Sequence, residues 1–226
     1  MILAFIPNSE CDPPDRACLR IIKCWVCGHA REQVPQRFLD EITCEKCHTL
    51  QPPHPEYNYY DLFDKAPTFN VNVKNLQSQY RRSQTLLHPD KWSMSTPEQK
   101  RNAAQQSSLL NKAFRTLRDP LQRGLYLLKL RGMPMEEGTD NNDPAFLMEI
   151  MDINEAIEDA ETEAEISVVH EENKKQIGDV IQQVSEAFKE DDLKRAHTLM
   201  GRLQFYENIN QLTTHWHPGR RLTITH

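Results

Sequence analysis

Thr85-Leu86-Leu87-His88-Pro89-Asp90-Lys91 is the stretch that decides how this chain is read. Pro89 disfavours helical backbone at His88, so the apolar-periodic run before it has to end there. Upstream, Val73, Leu76, Tyr80 and Leu87 fall at helical spacing, with Ser83 at the intervening step. Downstream, Ser95-Thr96-Pro97-Glu98 reads as a cap with proline at the first helical position. A second amphipathic run follows through Ala103, Leu109, Leu110, Ala113, Phe114 and Leu117 to Asp119-Pro120. Two such helices joined by a short loop predict an antiparallel hairpin with His88-Pro89-Asp90 at its exposed end. Lys74, Arg81 and Arg82 lie on the outer face of the first helix. Taken alone, three basic residues on a helix are simply a solvated face.

The chain has 226 residues, 38% of them apolar and 27% charged, with only 7 glycines. That length suits two or three small domains, and the composition favours helices over a sandwich or barrel. A net charge of −6 makes general nucleic-acid binding a poor fit. No apolar run approaches the roughly 20 residues that a membrane-crossing helix needs. Met1 to Pro7 is too short for a signal peptide and lacks its basic flank, while Glu10, Asp12 and Asp15 argue against an acid-poor transit peptide.

All six cysteines lie within the first 47 residues. Residues 1–20, with three prolines and the spare thiols Cys11 and Cys18, read as a poorly structured leader. Residues 21–52 form a module built on Cys24-Trp25-Val26-Cys27 and Cys44-Glu45-Lys46-Cys47, a C-x2-C-x16-C-x2-C spacing that suits four thiolates around one tetrahedral zinc. Such a site is closed and structural, because four protein ligands leave no position for a substrate. Gly28 relaxes the backbone after the first pair, whereas His48 stands in that place after the second and predicts a less regular knuckle. His29, His48 and His54 are substitute ligands to consider. A thiol oxidoreductase using either pair is the competing reading, but it needs a βαβ setting that the flanks do not show. A reducing compartment fits this cysteine usage. Gln51-Pro52-Pro53-His54-Pro55 then breaks the chain as a linker.

Beyond the hairpin, Pro120 to Leu130 predicts another helix, and residues 132–142 a polar joint. Asp143-Pro144 opens a last domain over 143–215, read as three helices at 144–164, 166–189 and 192–214, with a tail at 216–226. On the first of these, Phe146, Ile150, Ile153, Ile157 and Ala160 share a core face. Leu147, Met148 and Met151 sit roughly opposite, among Asp152, Glu155 and Asp159. On the third, Leu193, Ala196, Leu199, Met200, Leu203 and Tyr206 form the core stripe, and Phe205 points away from it with Ile209 and Leu212 nearby in angle. Helical angles alone leave two explanations of the off-face residues open, a broad buried face or a docking surface with apolar anchors ringed by carboxylates.

From Tyr80-Arg81-Arg82 through His88-Pro89-Asp90-Lys91 to Leu110-Asn111-Lys112-Ala113-Phe114-Arg115, the chain resembles a J-domain, taken here as residues 57–131. Ser83 departs from it, since that family more often has an apolar residue there. Arg123-Gly124-Leu125-Tyr126-Leu127-Leu128 and Asp143-Pro144-Ala145-Phe146-Leu147-Met148-Glu149-Ile150-Met151-Asp152 extend the resemblance to the HscB-type (Jac-type) J-proteins of iron–sulfur cluster assembly. The cysteine pairs are similar to the zinc knuckles of that family's animal-type branch. The resemblance implies a mostly α, L-shaped molecule: a J-domain hairpin and a C-terminal three-helix bundle, preceded by a small zinc-knuckle β module. It implies a co-chaperone and not an enzyme, with one structural zinc on Cys24, Cys27, Cys44 and Cys47. His88, Pro89, Asp90, Lys74, Arg81 and Arg82 would meet a DnaK/HscA-type heat-shock chaperone and stimulate its ATPase. Leu147, Met148, Met151, Asp152, Glu155 and Phe205 would hold an IscU-type scaffold whose cluster passes to recipient proteins. The mitochondrial matrix is the implied compartment, with the cytosol as a second, and self-association as a homodimer is a further implied state. A general J-domain co-chaperone for unfolded clients is the alternative function.

Overall fold

Helical periodicity broken by prolines at 89, 97, 120 and 144 produces, among the described residues, the α-helices α1 (Val73–Leu87), α2 (Pro97–Arg118), α3 (Pro120–Leu130), α4 (Pro144–Glu158), α5 (Glu163–Lys189) and α6 (Leu193–Thr214). The computed structural model describes residues 21–32, 38, 42–54, 57–135 and 143–218. The leader expected at 1–20, with Cys11 and Cys18, lies outside them, as do residues 136–142 of the joint and 219–226 of the tail. The class is mostly α, as expected. Its β content among the described residues is a short antiparallel pair, β1 (Ile21–Lys23) and β2 (Ala30–Glu32), registered Ile22 to Arg31, and a bridge between Thr43 and Leu50.

Contacts divide the chain into two compact units: the described residues up to Ala66 with Lys74–Phe114, and Pro67–Val73 with Arg115 onward. In the first, α1 buries Leu76, Ser83 and Leu87. Ser83 is only 1% exposed, and its hydroxyl donates to the Gln79 carbonyl at 3.0 Å, so burying it leaves no orphaned donor. A polar seam joins α1 to α2. The Tyr80 ring stacks on Phe114 with centroids 4.1 Å apart, and its hydroxyl donates to Asn111 Oδ1 at 2.7 Å. Gln84 Nε2 donates to the same oxygen, and Ser107 donates to Gln84 Oε1 at 3.1 Å. The stacked pair adds about 0.5–1.5 kcal/mol and each hydrogen bond about 1 kcal/mol. Together they fix the register that holds the hairpin's tip. The cysteine module is tied to this hairpin: Gln106 Nε2 donates to the Gln51 carbonyl at 3.3 Å, and Leu50 is fully buried. Gln51 therefore belongs to the packed unit, not to a free linker.

In the second unit, α5 and α6 form an antiparallel pair, since His170 near the start of α5 lies 2.8 Å from Thr213 at the end of α6. They bury Ile166, Val180, Val184 and Ala187 with Ala196, Leu199, Met200, Leu203, Tyr206 and Ile209. Ile209, placed by angle beside Phe205, is 2% exposed and belongs to the core. Onto this pair α4 lays Phe146, Ile150 and Ile157. It ends at Glu158, short of the expected 164, because Thr162 and Glu165 form a reciprocal capping box that starts α5 early. Ala160 thereby leaves the helix. The α3 helix packs on α6 at Gly124, where a Cβ would fall 2.4 Å from Met200 Sδ and 3.3 Å from the Phe69 ring. Phe69 in turn stacks on Phe188, 5.4 Å between centroids, and the buried Arg123 guanidinium lies over Phe69 while donating to the Leu117 carbonyl at 2.7 Å.

Two outcomes test this packing. Gly124→Ala forces the fully buried Met200 terminus to move, and should cost roughly 1–3 kcal/mol in urea unfolding of the second unit; in a Met200→Ala background the same change should cost less. The Glu161 and Thr162 N–H groups and the Thr162 hydroxyl hold the Glu165 carboxyl below its ordinary value. Its folded pKa is depressed, so its stabilisation is fully present above the unfolded value and is lost as pH falls through the folded one. Thermal unfolding should therefore separate wild type from Glu165→Gln at neutral pH and bring the two together in acid.

Candidate functional site

The two cysteine pairs sit on matching turns. After β1, Cys24 N–H donates to the His29 carbonyl at 2.9 Å and Gly28 N–H to the Cys24 carbonyl at 3.0 Å. In the second turn, Cys44 N–H donates to Thr49 at 2.9 Å and His48 N–H to Cys44 at 2.8 Å. Gly28 has φ of 67° and His48 φ of 56°. His48 thus adopts the left-handed backbone of its glycine counterpart, and the second knuckle is as regular as the first, contrary to expectation. The four Sγ atoms all lie within 4.8 Å of one another, with Cys24 to Cys47 at 3.6 Å and Cys27 to Cys44 at 3.7 Å. A tetrahedron of thiolates about 2.3 Å from a zinc-sized ion has edges of about 3.8 Å, so the cluster is compatible with a four-coordinate metal. The histidines are engaged elsewhere: His29 Nε2 lies 2.9 Å from Glu45 Oε1, His54 packs on Tyr57, and the His48 side chain is exposed.

Burial opposes ionisation of Cys24, but the Cys27 and Val26 N–H groups and the nearby thiols outweigh it and bring it down to about 6. For Cys27 the His29 N–H pulls downward, yet desolvation and three neighbouring sulfurs prevail and push it up to about 11. The Thr49 hydroxyl, 3.2 Å from Cys47 Sγ, and the Thr49 N–H hold Cys47 down. Four sulfurs this close share protons; a bound dication lets all four ionise together. Neither pair stands at a helix start after a strand, the setting of a redox C-x-x-C. Sequence reasoning missed Thr49, although its place two residues after Cys47 is the only signal it carries.

At the hairpin tip, residues Pro89–Trp92 make one 3-10 turn capped by His88. Asp90 N–H donates to His88 Nδ1 at 3.3 Å, Ser93 Oγ to the Asp90 carbonyl at 2.8 Å, and Trp92 Nε1 to the Leu86 carbonyl at 3.2 Å. His88 Nδ1 also lies 3.4 Å from Asp90 Oδ2. The Asp90 side chain is 90% exposed and that of His88 58% exposed. Lys74, Arg81 and Arg82 project from α1 into solvent, and no ion pair among the described residues engages them.

On α4 the stripe opposite Phe146 is bare: Leu147, Met148 and Met151 are 41%, 65% and 61% exposed, and Asp152 and Glu155 are exposed beside them. Phe205, 36% exposed, leans edge-on against Phe146 at 5.6 Å, which puts it by the first turn of α4. This end of α4 is clasped to α6. Arg202 pairs with Asp143, the α4 cap, and its guanidinium lies 5.0 Å over the Phe146 ring; Tyr206 donates to Glu149 at 2.8 Å. No sequence signal marks these partners, which stand 59 and 57 residues apart.

Comparisons with known proteins show what the chain as a whole is similar to. A family profile described as "HSCB C-terminal oligomerisation domain" matches residues 142–213. The "Iron-sulfur cluster co-chaperone protein HscB" of Mus musculus is 38% identical over 190 residues, 84% of this chain and 80% of its own. The "J-type co-chaperone JAC1, mitochondrial" of Saccharomyces cerevisiae is 30% identical over 179 residues, 74% of this chain and 93% of its own. The crystal structure of human co-chaperone protein HscB superposes with a TM-score of 0.80 at 36% identity, covering 85% of this chain and 97% of that one.

The knuckle backbone yields a direct test. His48→Gly removes a left-handed β-carbon, worth about 1 kcal/mol, and should raise the chelator concentration needed to strip bound metal. Gly28→Ala should lower it, as read by thiol titration against chelator.

Proposed function

The chain belongs to the HscB family of iron–sulfur cluster co-chaperones, and on that premise we propose that it tethers a cluster scaffold and triggers a heat-shock chaperone through separate surfaces. The observation that carries this reading is the exposure of two unlike surfaces in different compact units. One is a carboxylate and imidazole at the hairpin tip, and the other is an apolar stripe on α4 with Phe205.

The α4 surface would hold an IscU-type scaffold. Leu147, Met148, Met151 and Phe205 supply apolar anchors, and Asp152 and Glu155 set register against a basic patch on the partner. The hairpin tip would engage the ATPase of a DnaK/HscA-type chaperone. Asp90 pairs there with a chaperone guanidinium, His88 hydrogen-bonds nearby, and Pro89 sets the loop backbone. Lys74, Arg81 and Arg82 meet an acidic face and speed encounter. Tethering raises the scaffold's effective concentration at the chaperone, and hydrolysis closes the chaperone on it, so that the cluster passes to recipient proteins. In this scheme the chain does no covalent chemistry. Cys24, Cys27, Cys44 and Cys47 would hold one zinc, whose contribution is structural, cross-linking the two knuckles of a module too small to have a large core. The mitochondrial naming of the yeast relative supports the matrix as the working compartment.

Asp90→Ala should retain scaffold binding while losing about tenfold or more of ATPase stimulation. Met148→Ala combined with Phe205→Ala should do the reverse, weakening scaffold capture in a pull-down by about tenfold. Undiminished stimulation by Asp90→Ala would sink the trigger assignment, and undiminished capture by the double variant would sink the docking assignment.

A further inference from the structure

The six methionines among the described residues divide sharply by exposure. Met200 is 0% exposed, packed against Gly124, and Met133 and Met135 are half-buried. Met94, just past the hairpin tip, is 97% exposed. Met148 and Met151 are 65% and 61% exposed, three residues apart on one face of α4, so their thioethers stand within the same stripe. We propose that Met148 and Met151 form a hydroperoxide-sensitive modification site, and that their conversion to sulfoxides makes the α4 stripe polar and releases the partner docked there. The release step rests on the docking role given to this stripe; the modification itself rests on exposure and chemistry.

In the reaction a thioether lone pair attacks one oxygen of the hydroperoxide. An S–O bond forms, the O–O bond breaks, and the leaving oxygen takes up the proton as water or an alcohol. Sulfur is oxidised by two electrons and the peroxide is reduced by the same two. Access to the sulfur controls the rate, which puts Met148 and Met151 in the fast class with Met94 and Met200 in the slow one. The exposed carboxylates of Asp152 and Glu155 share the face with Met148 and Met151. They repel anionic oxidants and leave neutral hydroperoxides as the favoured reagent. Neighbouring Leu147 and Phe205 are inert to this reagent, so the stripe's response belongs to the two sulfurs. A sulfoxide carries a strong acceptor where the thioether had none, and burying it in an apolar contact without a donor is unfavourable. The core of the helix is untouched, because Phe146, Ile150 and Ile157 lie on the other side. Modification therefore changes the surface without unfolding it, and sulfoxide reduction restores it.

The experiment treats the full chain with limiting hydrogen peroxide, maps each methionine by peptide mass, and measures affinity for an IscU-type scaffold before and after. Met148 and Met151 should convert with Met94 and well ahead of Met200, with unchanged helical circular dichroism, and scaffold affinity should fall about tenfold or more. Methionine sulfoxide reductase should restore it. In a Met148→Leu/Met151→Leu variant, which has no sulfur in the stripe, peroxide should cause no fall from that variant's own starting affinity. Conversion of Met148 and Met151 only in step with Met200 overturns the site, and affinity unchanged after their full conversion overturns the switch. Prebound scaffold should shield Met148 and Met151 but not Met94. If the unoxidised chain does not bind scaffold at all, the docking role falls and the release step with it, while the order of conversion still decides the modification site.

Discussion

A helix can give only one face to a core, and the second unit is arranged by that limit. The α5–α6 pair buries Val180, Val184, Leu199, Met200 and Leu203 and offers α4 one surface, which Phe146, Ile150 and Ile157 fill. Leu147, Met148 and Met151 are as apolar as those residues and have nowhere to go. Leaving a side chain of this size in water forgoes about 1.5–3 kcal/mol of burial, so three on one short helix are a standing source of affinity for whatever covers them. The apolar excess of α4 is thus a consequence of the bundle's geometry, and the proposed docking takes its driving force from it.

The hairpin tip works by the opposite economy of contacts. Asp90 N–H donates to His88 Nδ1, Ser93 to the Asp90 carbonyl and Trp92 to the Leu86 carbonyl, and the one loop group near the Asp90 carboxylate is His88 Nδ1 at 3.4 Å. That carboxylate is left in water, 90% exposed, in a fixed place set by the Tyr80–Phe114 stack and the Asn111 bonds one to two turns below. The cysteine module obeys a similar rule. Left-handed turns at Gly28 and His48 aim the four sulfurs to within 4.8 Å of one another, an arrangement compatible with a metal ion.

Period and spacing made much of this legible. The breaks at Pro89, Pro97 and Pro120 placed α1, α2 and α3, and the two C-x2-C pairs located the cluster, because local sequence alone determines those features. Angles at 100° per residue also separated Met148 and Met151 from Phe146 correctly. They failed at Ala160, where the periodicity continues but the cap formed by Thr162 and Glu165 stops it, and at Ile209, whose burial depends on where α5 lies. The fit of Gly124 to Met200 and the anchoring of Gln51 by Gln106 were out of reach for the same reason. Each joins residues more than fifty positions apart whose meeting is decided by packing, not by local pattern.

What the packing adds to α4 is orientation. Asp143 caps the helix and is itself held by Arg202; Arg202 covers Phe146; Phe146 supports the edge of Phe205; and Tyr206 fastens Glu149 one turn further on. Burial, with Glu149 as acceptor, pushes the Tyr206 phenol far above its ordinary value, so its proton stays in that bond across the physiological range. The stripe is therefore fixed in angle and register before the proposed docking. A flexible helix bearing the same three apolar residues would lose part of their gain to ordering on contact, at about 0.5–1.5 kcal/mol for each immobilised side chain. Holding α4 by polar bonds on its inner side, while leaving its outer side unbonded, lets burial of Leu147, Met148 and Met151 appear as affinity.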